Sequence, residues 1–444
     1  MKGRRPEKIK HKQNSEFVSL RAITENCLWQ QTDRVYLETG MPPVFGKEKK
    51  MKTRVLNLLW VCALLVLANP LYAQQPKLTV WISWEGSNLL KDEITQFAKT
   101  NNYSIEVNYI PKIKSKLSTV ARAEGTLPDV FMIKSDYVSK LSDYGVFEDL
   151  KDVNTNDLTK KGIKAFKYHN KLTAIPFYFD TQVMLYNKSV VGDIDALSLS
   201  TEQLEKIAHN LKAKGIIPLA WNLYSAYWLL PFQVGFGKDI NDPQNIAVIN
   251  DKATGQALTY LIELKNQKLL FPLFRGAIKS KFIDNKIGFI LTGSYAIPSF
   301  RKAGLNLGIL TFPFISNTQR YASPLLDFKG FSLSKNSKHK REALQLINYL
   351  VSRKVQLDIA EKLYKIPANT SVWSAIRDNS KYFKVFFKSY TIGSVIPPSY
   401  SYVVYKNTMW KILRFVVGGK LTVEEGLNKG QKIIDTNLKP SSKD

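Results

Sequence analysis

From about residue 77 onward, apolar and polar positions switch repeatedly between a two-residue and a helical period. Leu78, Thr79, Val80, Trp81 and Ile82 form a short β-prone run of the kind found in buried parallel strands. Trp84, Glu85 and Gly86 follow, and Ser87 is expected to N-cap a helix carrying Leu90, Ile94 and Phe97 on one face. Residues 104–110 predict a second strand, 117–123 a second helix and 128–133 a third strand, with Ser135 and Asp136 opening the helix after it. Strands alternating with helices at this spacing point to βαβ units and a parallel sheet.

The pattern changes at residues 171–187, which read as a strand containing Pro176 and running into a second apolar stretch. A proline inside a strand argues for an edge, or for a crossing between lobes. Ser200 and Gln203 predict a capping box for a helix ending near Gly215. Residues 216–222 predict a strand, 254–270 a long amphipathic helix, 286–292 a strand ending at Gly293, Ser294 and Tyr295, and 339–363 a helix. The basic run 335–341 opens that helix on a solvated surface. Gly418 and Gly419 break a helix near the end, and Thr422 with Glu425 caps the last one. No internal repeat or low-complexity linker interrupts the order.

Upstream, residues 51–73 have a different character. Lys52 and Arg54 precede an apolar stretch over 55–68, and Pro70, Leu71, Tyr72 and Ala73 form a cleavage region. This is the layout of a secretory signal peptide, too short for the ~20 apolar residues that span a bilayer. The expectation is export to the periplasm with cleavage after Ala73. Residues 1–50, polar and without a sustained period, then read as an upstream extension rather than native chain.

Composition narrows the picture further. The 444 residues carry a formal charge of +27, with 44% hydrophobic and 23% charged residues. At roughly 150 residues per domain the length predicts two or three domains, and the composition excludes wholesale disorder. With only two cysteines, Cys27 and Cys62, neither a disulfide framework nor a cysteine zinc cluster is available. The charge by itself would point to a polyanion. Residues 1–73 hold 13 Lys and Arg against 6 Asp and Glu, leaving +20 beyond Ala73, where 43 lysines and 8 arginines are spread along the chain. Sites that read nucleic acid favour clustered arginine, so this dispersed excess argues against that partner.

The chain lacks H-E-x-x-H, G-x-S-x-G and a phosphate-binding glycine loop. His169, His209 and His339 are scattered among polar residues and read as surface positions, so no metal site, catalytic residue or cofactor is expected. What remains is a set of carboxylates and aromatics at predicted strand ends: Trp84, Glu85, Asp136, Tyr137, Asp180, Tyr227, Trp228 and Tyr295. Open α/β sheets bind ligands beyond the carboxyl ends of their strands. Sugars suit this lining, because carboxylates accept several hydroxyl hydrogen bonds and aromatic faces cover the apolar faces of pyranose rings. Trp81, Trp373 and Trp410 read as packing residues, and Asp129 as a residue that orders its turn.

Taken in order, KLTVWISWEG (77–86), LPDVFMIKSD (127–136), KLTAIPFYFDTQVMLYNKS (171–189), IGFILTGSY (287–295), KGFSLSKNSKHKREALQLINYL (329–350), IPAN (366–369) and GGKLTVEEGL (418–427) resemble the extracellular solute-binding proteins of ABC importers. The group is family 1, typified by maltose-binding protein, and the match covers residues 76–435. The resemblance implies an α/β fold of two Rossmann-like lobes, the type II periplasmic-binding-protein arrangement, joined by a hinge with the ligand cleft between them. The expected N-terminal lobe comprises 74–178 and 320–368, and the C-terminal lobe 179–319 and 369–444, with one hinge crossing near 178–181. Glu85, Asp136 and Asp180 fall where the family places sugar-binding carboxylates, and Tyr227 and Tyr295 where it places aromatics.

The sequence also departs from that pattern. Ser225 stands where a further Glu would be, Ile133 replaces a Trp and Tyr137 an Arg, and the C-terminal stacking Trp has no direct counterpart, Tyr400 and Tyr402 of the IPPSYSY segment being the candidates for its role. These changes put maltose itself in question and leave a carbohydrate, a di- or oligosaccharide, as the implied ligand. The expected protein is a monomeric receptor that delivers this sugar to the membrane permease subunits. Two alternatives stay open: a glycoside hydrolase using Glu85, Asp136 and Asp180, and a receptor for another solute such as an acidic sugar or polyol phosphate.

Overall fold

The computed structural model describes residues 76–377, 381–396 and 398–438. The signal-like segment 51–73, its cleavage region, the residues before it and both cysteines lie outside the described residues. Eleven strands form one sheet: β1 (Lys77–Ile82), β2 (Ser104–Tyr109), β3 (Val130–Lys134), β4 (Ile175–Asn187), β5 (Ile217–Trp221), β6 (Leu270–Pro272), β7 (Ile287–Gly293), β8 (Leu307–Leu310), β9 (Leu325–Leu333), β10 (Ile366–Pro367) and β11 (Ser394–Val395). Their order is β2-β1-β3-β9-β4-β7-β5-β6, with β8 and β10 also on β4 and β11 on β9. The helices that bear on the site are α1 (Ser87–Asn101), α2 (Ile113–Arg122), α3 (Thr201–Ala213), α4 (Ala226–Gly235), α5 (Lys252–Asn266), α6 (Arg275–Ile283), α7 (Lys340–Leu350), α8 (Arg353–Leu363), α9 (Lys381–Ile392), α10 (Tyr400–Val417) and α11 (Val423–Leu438).

The sheet has two parallel halves. β1 pairs in parallel with β2 and β3, and β5 with β6 and β7, as βαβ connections require. β9 and β4 run antiparallel between them and join the halves. β4 is 13 residues long and buried at every position, which explains its nearly unbroken apolar sequence. Three consecutive polar residues at its middle, Asp180, Thr181 and Gln182, sit where its partner changes. Thr181 pairs with Leu326 of β9, and Gln182 with Gly293 of β7. Two apolar clusters fill the space around the sheet. One gathers Leu78, Val80 and Ile82 of β1 with Leu90 and Ile94 of α1 and runs across the crossing to Ala220, Ile287 and Ile290. The other gathers Leu219 and Trp221 of β5 with Leu258 and Leu261 of α5.

Pro176 is no edge marker. It lies near the start of the central β4, opposite Gly330, where the pairing shifts register. A bulge accommodates the missing N–H, and a Cβ at 330 would collide with the Ile175 carbonyl and the Phe166 ring. Other expectations are adjusted at element ends. Ser87 is the first helical residue, and Gly86, in the left-handed region at φ 84°, is the N-cap. The helix expected over 339–363 is two helices, α7 and α8, separated at Val351 and Ser352. The helix expected over 254–270 starts earlier, capped by Asp251, and ends at Asn266, leaving Leu270 to begin β6. Both predicted reciprocal caps are present: Ser200 with Gln203, and Thr422 with Glu425. Asp129 accepts from the Thr79 amide at 2.8 Å and from Ser337 Oγ at 2.6 Å, so it ties its turn to β1 and to the chain after β9. Trp373 packs on Phe387 and Tyr390, but Trp410 departs from its expected packing role: it is 47% exposed, and the Arg414 guanidinium lies 4.0 Å over its ring.

Candidate functional site: a charged cleft at the strand crossing

The loop after β1 is shaped by two left-handed residues. Gly86 can adopt that conformation freely, and a Cβ there would run into Leu363. Trp84, at φ 66°, has no such freedom; a bulky residue held there costs about 1–3 kcal/mol and is found mainly at functional sites. The turn lays the Trp84 ring 6.3 Å from that of Tyr137 and leaves the Glu85 side chain 54% exposed. Glu85 projects into a cleft of about 440 Å³, where it meets Asn222, Trp228, Arg275, Lys279 and Tyr295 from the other half of the sheet. This volume lies within the range of small-molecule sites.

Beneath Glu85 runs a chain of alternating charges. Lys365 Nζ lies 3.3 Å from Glu85 and 3.0 Å from Asp180. Lys329 Nζ lies 2.7 Å from Asp180 and 3.0 Å from Asp327. Lys134 continues the chain, 3.0 Å from Asp327 and 3.8 Å from Asp136. Lys406 of α10 closes it at 4.0 Å from Asp136. Asp180 and Asp327 are directly opposed across β4 and β9, an arrangement that repels unless a cation is shared. Lys329 supplies that cation and also lies 5.5 Å over the ring of Tyr178.

The electrostatics follow from these contacts. Burial pushes the Asp180 carboxyl up, but the Lys329 and Lys365 ammonium groups outweigh it and hold the acid well below the usual carboxylate range. Asp327 is likewise lowered: burial opposes its charge, and Lys134 and Lys329 prevail. The reciprocal effect raises Lys134 and Lys329 despite their burial. Burial, then Asp136, pushes the Tyr137 hydroxyl up to about 12. Burial also raises Tyr227 and Tyr402, which face the same charges.

The residues singled out from the sequence therefore occupy different places. Glu85, Trp228 and Tyr295 line the cavity. Trp84 and Tyr137 lie together beside it, and Asp136 terminates the charge chain. Tyr227 is half-buried at the first turn of α4, edge-on to Trp228; its carbonyl accepts from Gln182 Nε2 at 2.7 Å, and the same Gln182 side chain holds the Leu325 amide at 2.8 Å. Asp180 is 2% exposed, and besides the two lysines it accepts from Ser294 Oγ at 2.9 Å, so it lies in the floor rather than on the lining. Tyr402 is buried against Tyr405, whereas Tyr400 is 59% exposed. Sequence reasoning missed Lys134, Lys329, Lys365 and Asp327. A signal existed, because Asp327 and Lys329 fall on one face of an otherwise apolar strand, a costly placement unless each is paired. Arg275 and Lys279, one turn apart on α6, carried no such signal.

One oxygen of Asp136 is distinctive. Its Oδ1 is shielded from solvent and has no hydrogen-bond partner among the described residues. A cleft at a strand crossing, lined by Glu85, Trp228, Arg275 and Tyr295 from both halves of the sheet, has the make-up of a ligand-binding site. The chain belongs to the bacterial extracellular solute-binding proteins, whose family model matches residues 94–382. Among curated proteins it is similar to a galactooligosaccharide-binding protein of Bacillus subtilis, with 26% identity over 316 residues that cover 67% of this chain and 73% of the relative. It is also similar to the maltodextrin-binding protein MdxE of the same organism, with 22% identity over 396 residues, or 84% and 92% of the two chains. Among solved structures, the Thermus thermophilus maltotriose-binding protein aligns with a TM-score of 0.70 at 21% identity, covering 81% of this chain and all of the other. The Listeria monocytogenes maltose-binding periplasmic protein MalE aligns at 0.73 and 21%, covering 82% and 98%. The fold is thus the type II periplasmic-binding-protein arrangement that the resemblance implied.

Proposed function

We propose that this protein is the exported receptor of an ABC importer, capturing a di- or oligosaccharide in the cleft and presenting it to the permease subunits. The observation that carries the reading is the Asp136 carboxylate beside Tyr137 and Trp84, whose buried Oδ1 accepts no hydrogen bond among the described residues and has Lys134 Nζ only at 3.8 Å. A sugar hydroxyl supplies the donor that this oxygen lacks, while the aromatic faces cover pyranose C–H groups. The curated relatives bind galactooligosaccharide and maltodextrin by name, which supports the same ligand class.

In this reading the lobes divide as 74–178 with 320–368 and 179–319 with 369–444, and they rock about the crossing at Asp180–Gln182. Ligand held by Glu85 and Asp136 on one side and by Trp228 and Tyr295 on the other favours the closed form, and the permease reads that surface. The segment 51–73 directs export to the periplasm, the receptor acts as a monomer, and no covalent step is involved. The burial of Asp180 in the floor, held by Lys329 and Lys365, supports binding over hydrolysis, because it keeps that carboxylate out of reach of a glycosidic bond.

Thermal melting against a panel of mono-, di- and oligosaccharides tests the proposal. A cognate sugar at 100 times its Kd should add about 2.7 kcal/mol to stability. Asp136→Ala should weaken binding of that sugar at least about tenfold, the worth of one charge-assisted hydrogen bond, while leaving a cooperative melt. A panel in which no carbohydrate shifts the transition or perturbs tryptophan fluorescence overturns the reading.

A further inference from the structure

The charge chain is nearly balanced, and what flanks it is not. From Glu85 to Asp136 it contains four carboxylates and three ammonium groups, Lys365, Lys329 and Lys134. At the Glu85 end, Arg275 and Lys279 line the same cavity, and neither pairs with a carboxylate among the described residues. Arg275 lies 5.6 Å over Tyr295 and is the first residue of α6, so the positive end of the helix dipole adds to its charge. At the Asp136 end, Lys406 reaches only to 4.0 Å from a carboxylate already shared with Lys134.

Lys114 is the sharper case. It is half-buried, with its Nζ 4.5 Å over the Tyr137 ring. The one carboxylate that it faces is Asp136, while Lys134, Lys140 and Lys406 surround it. Burial, first of all, pushes the Lys114 ammonium down; Asp136 opposes it, and Lys406, Lys140 and Lys134 reinforce it. With the four flanking cations, the chain's single negative excess becomes +3.

We infer that the ligand is an anionic oligosaccharide, whose acidic groups are received by Lys114 and Lys406 at one end and by Arg275 and Lys279 at the other. A neutral sugar would desolvate these cations and return no charge, whereas a carboxylate or sulfate restores the balance. Arginine over an aromatic ring presents a planar fork suited to either group. The inference rests on the carbohydrate reading above and specifies its chemical class.

Titration calorimetry with three probes separates the possibilities: trigalacturonic acid, a sulfated chondroitin-type disaccharide and maltotriose. At least one acidic probe should bind about tenfold or more tightly than maltotriose, the two acidic arms distinguishing carboxylate from sulfate. Lys114→Gln and Arg275→Gln should each reduce the acid-to-neutral affinity ratio by about tenfold. If either variant fails to fold, a salt titration of the unaltered protein reads the same charge. Affinity for the acidic probe should fall steeply with ionic strength while that for maltotriose stays flat. Maltotriose binding as tightly as both acidic probes, or an acidic probe insensitive to salt, overturns the inference and leaves the carbohydrate reading intact. Failure of all three probes in calorimetry, together with an unresponsive sugar panel in melting, removes both.

Discussion

Asp180 and Asp327 face each other across two antiparallel strands, and Lys329 makes that arrangement tolerable. Replacing one carboxylate removes an attraction and also leaves the buried lysines uncompensated. Asp180→Asn should therefore cost about 3–5 kcal/mol, read from the shift in urea midpoint at constant slope. The double change Asp180→Asn with Lys329→Met should recover part of that loss, because the stranded ammonium is gone. A double variant no more stable than the single one would show that the charge was not the issue. Gly293 acts by space instead: a Cβ there would occupy the position of the Tyr295 ring. Gly293→Ala should displace Tyr295 from the cavity wall and weaken ligand binding while leaving most of the fold's stability intact. Unchanged affinity would show that Tyr295 does not depend on this close approach.

At the level of elements, the sequence was most legible where one local rule acted alone. The β-prone runs at 78–82 and 128–133 and the capping boxes at Ser200 and Thr422 depend on neighbours a few residues away; both strands and both caps are present, the third strand starting two residues later, at Val130. Ser200→Ala should cost about 1 kcal/mol in a urea melt, as loss of an N-cap does, and a neutral outcome would mean that Thr201 or Glu202 takes over the cap. What was not legible depended on distant partners. Pro176 reads equally as an edge residue or as part of a crossing, and the choice for the crossing is made by Gly330, more than 150 positions away, which supplies the bulge that admits it. Glu85, Asp136 and Asp180 read as equivalent carboxylates, yet only the placement of Lys329 and Lys365 separates a floor residue from a lining residue. The split between α7 and α8 was hidden because the apolar stripe continues through Val351 and Val355 on both sides of the break.

Across the whole molecule, the crossing strands, the cleft floor and the charge chain are one structure, so stability should follow the protonation of that chain. Asp180 and Asp327 titrate below the ordinary value of 3.8, so their contribution is fully present above that value and is lost as pH falls through their lowered folded values. Lys134 and Lys329 titrate above the ordinary 10.5; their contribution is fully present below it and is lost as pH rises through the raised values. The urea midpoint should therefore stay nearly flat from about pH 5.5 to about pH 9 and fall in acid, where protonation of the carboxylates also uncovers the excess of lysine. Asp327→Asn removes one of the two depressed acids without touching the cavity lining. Its acid limb should be shallower than that of the unaltered protein, while its stability at neutral pH is lower throughout. An acid limb of the same steepness would mean that carboxylates elsewhere govern acid unfolding and that the chain at the crossing is not the element that fails first.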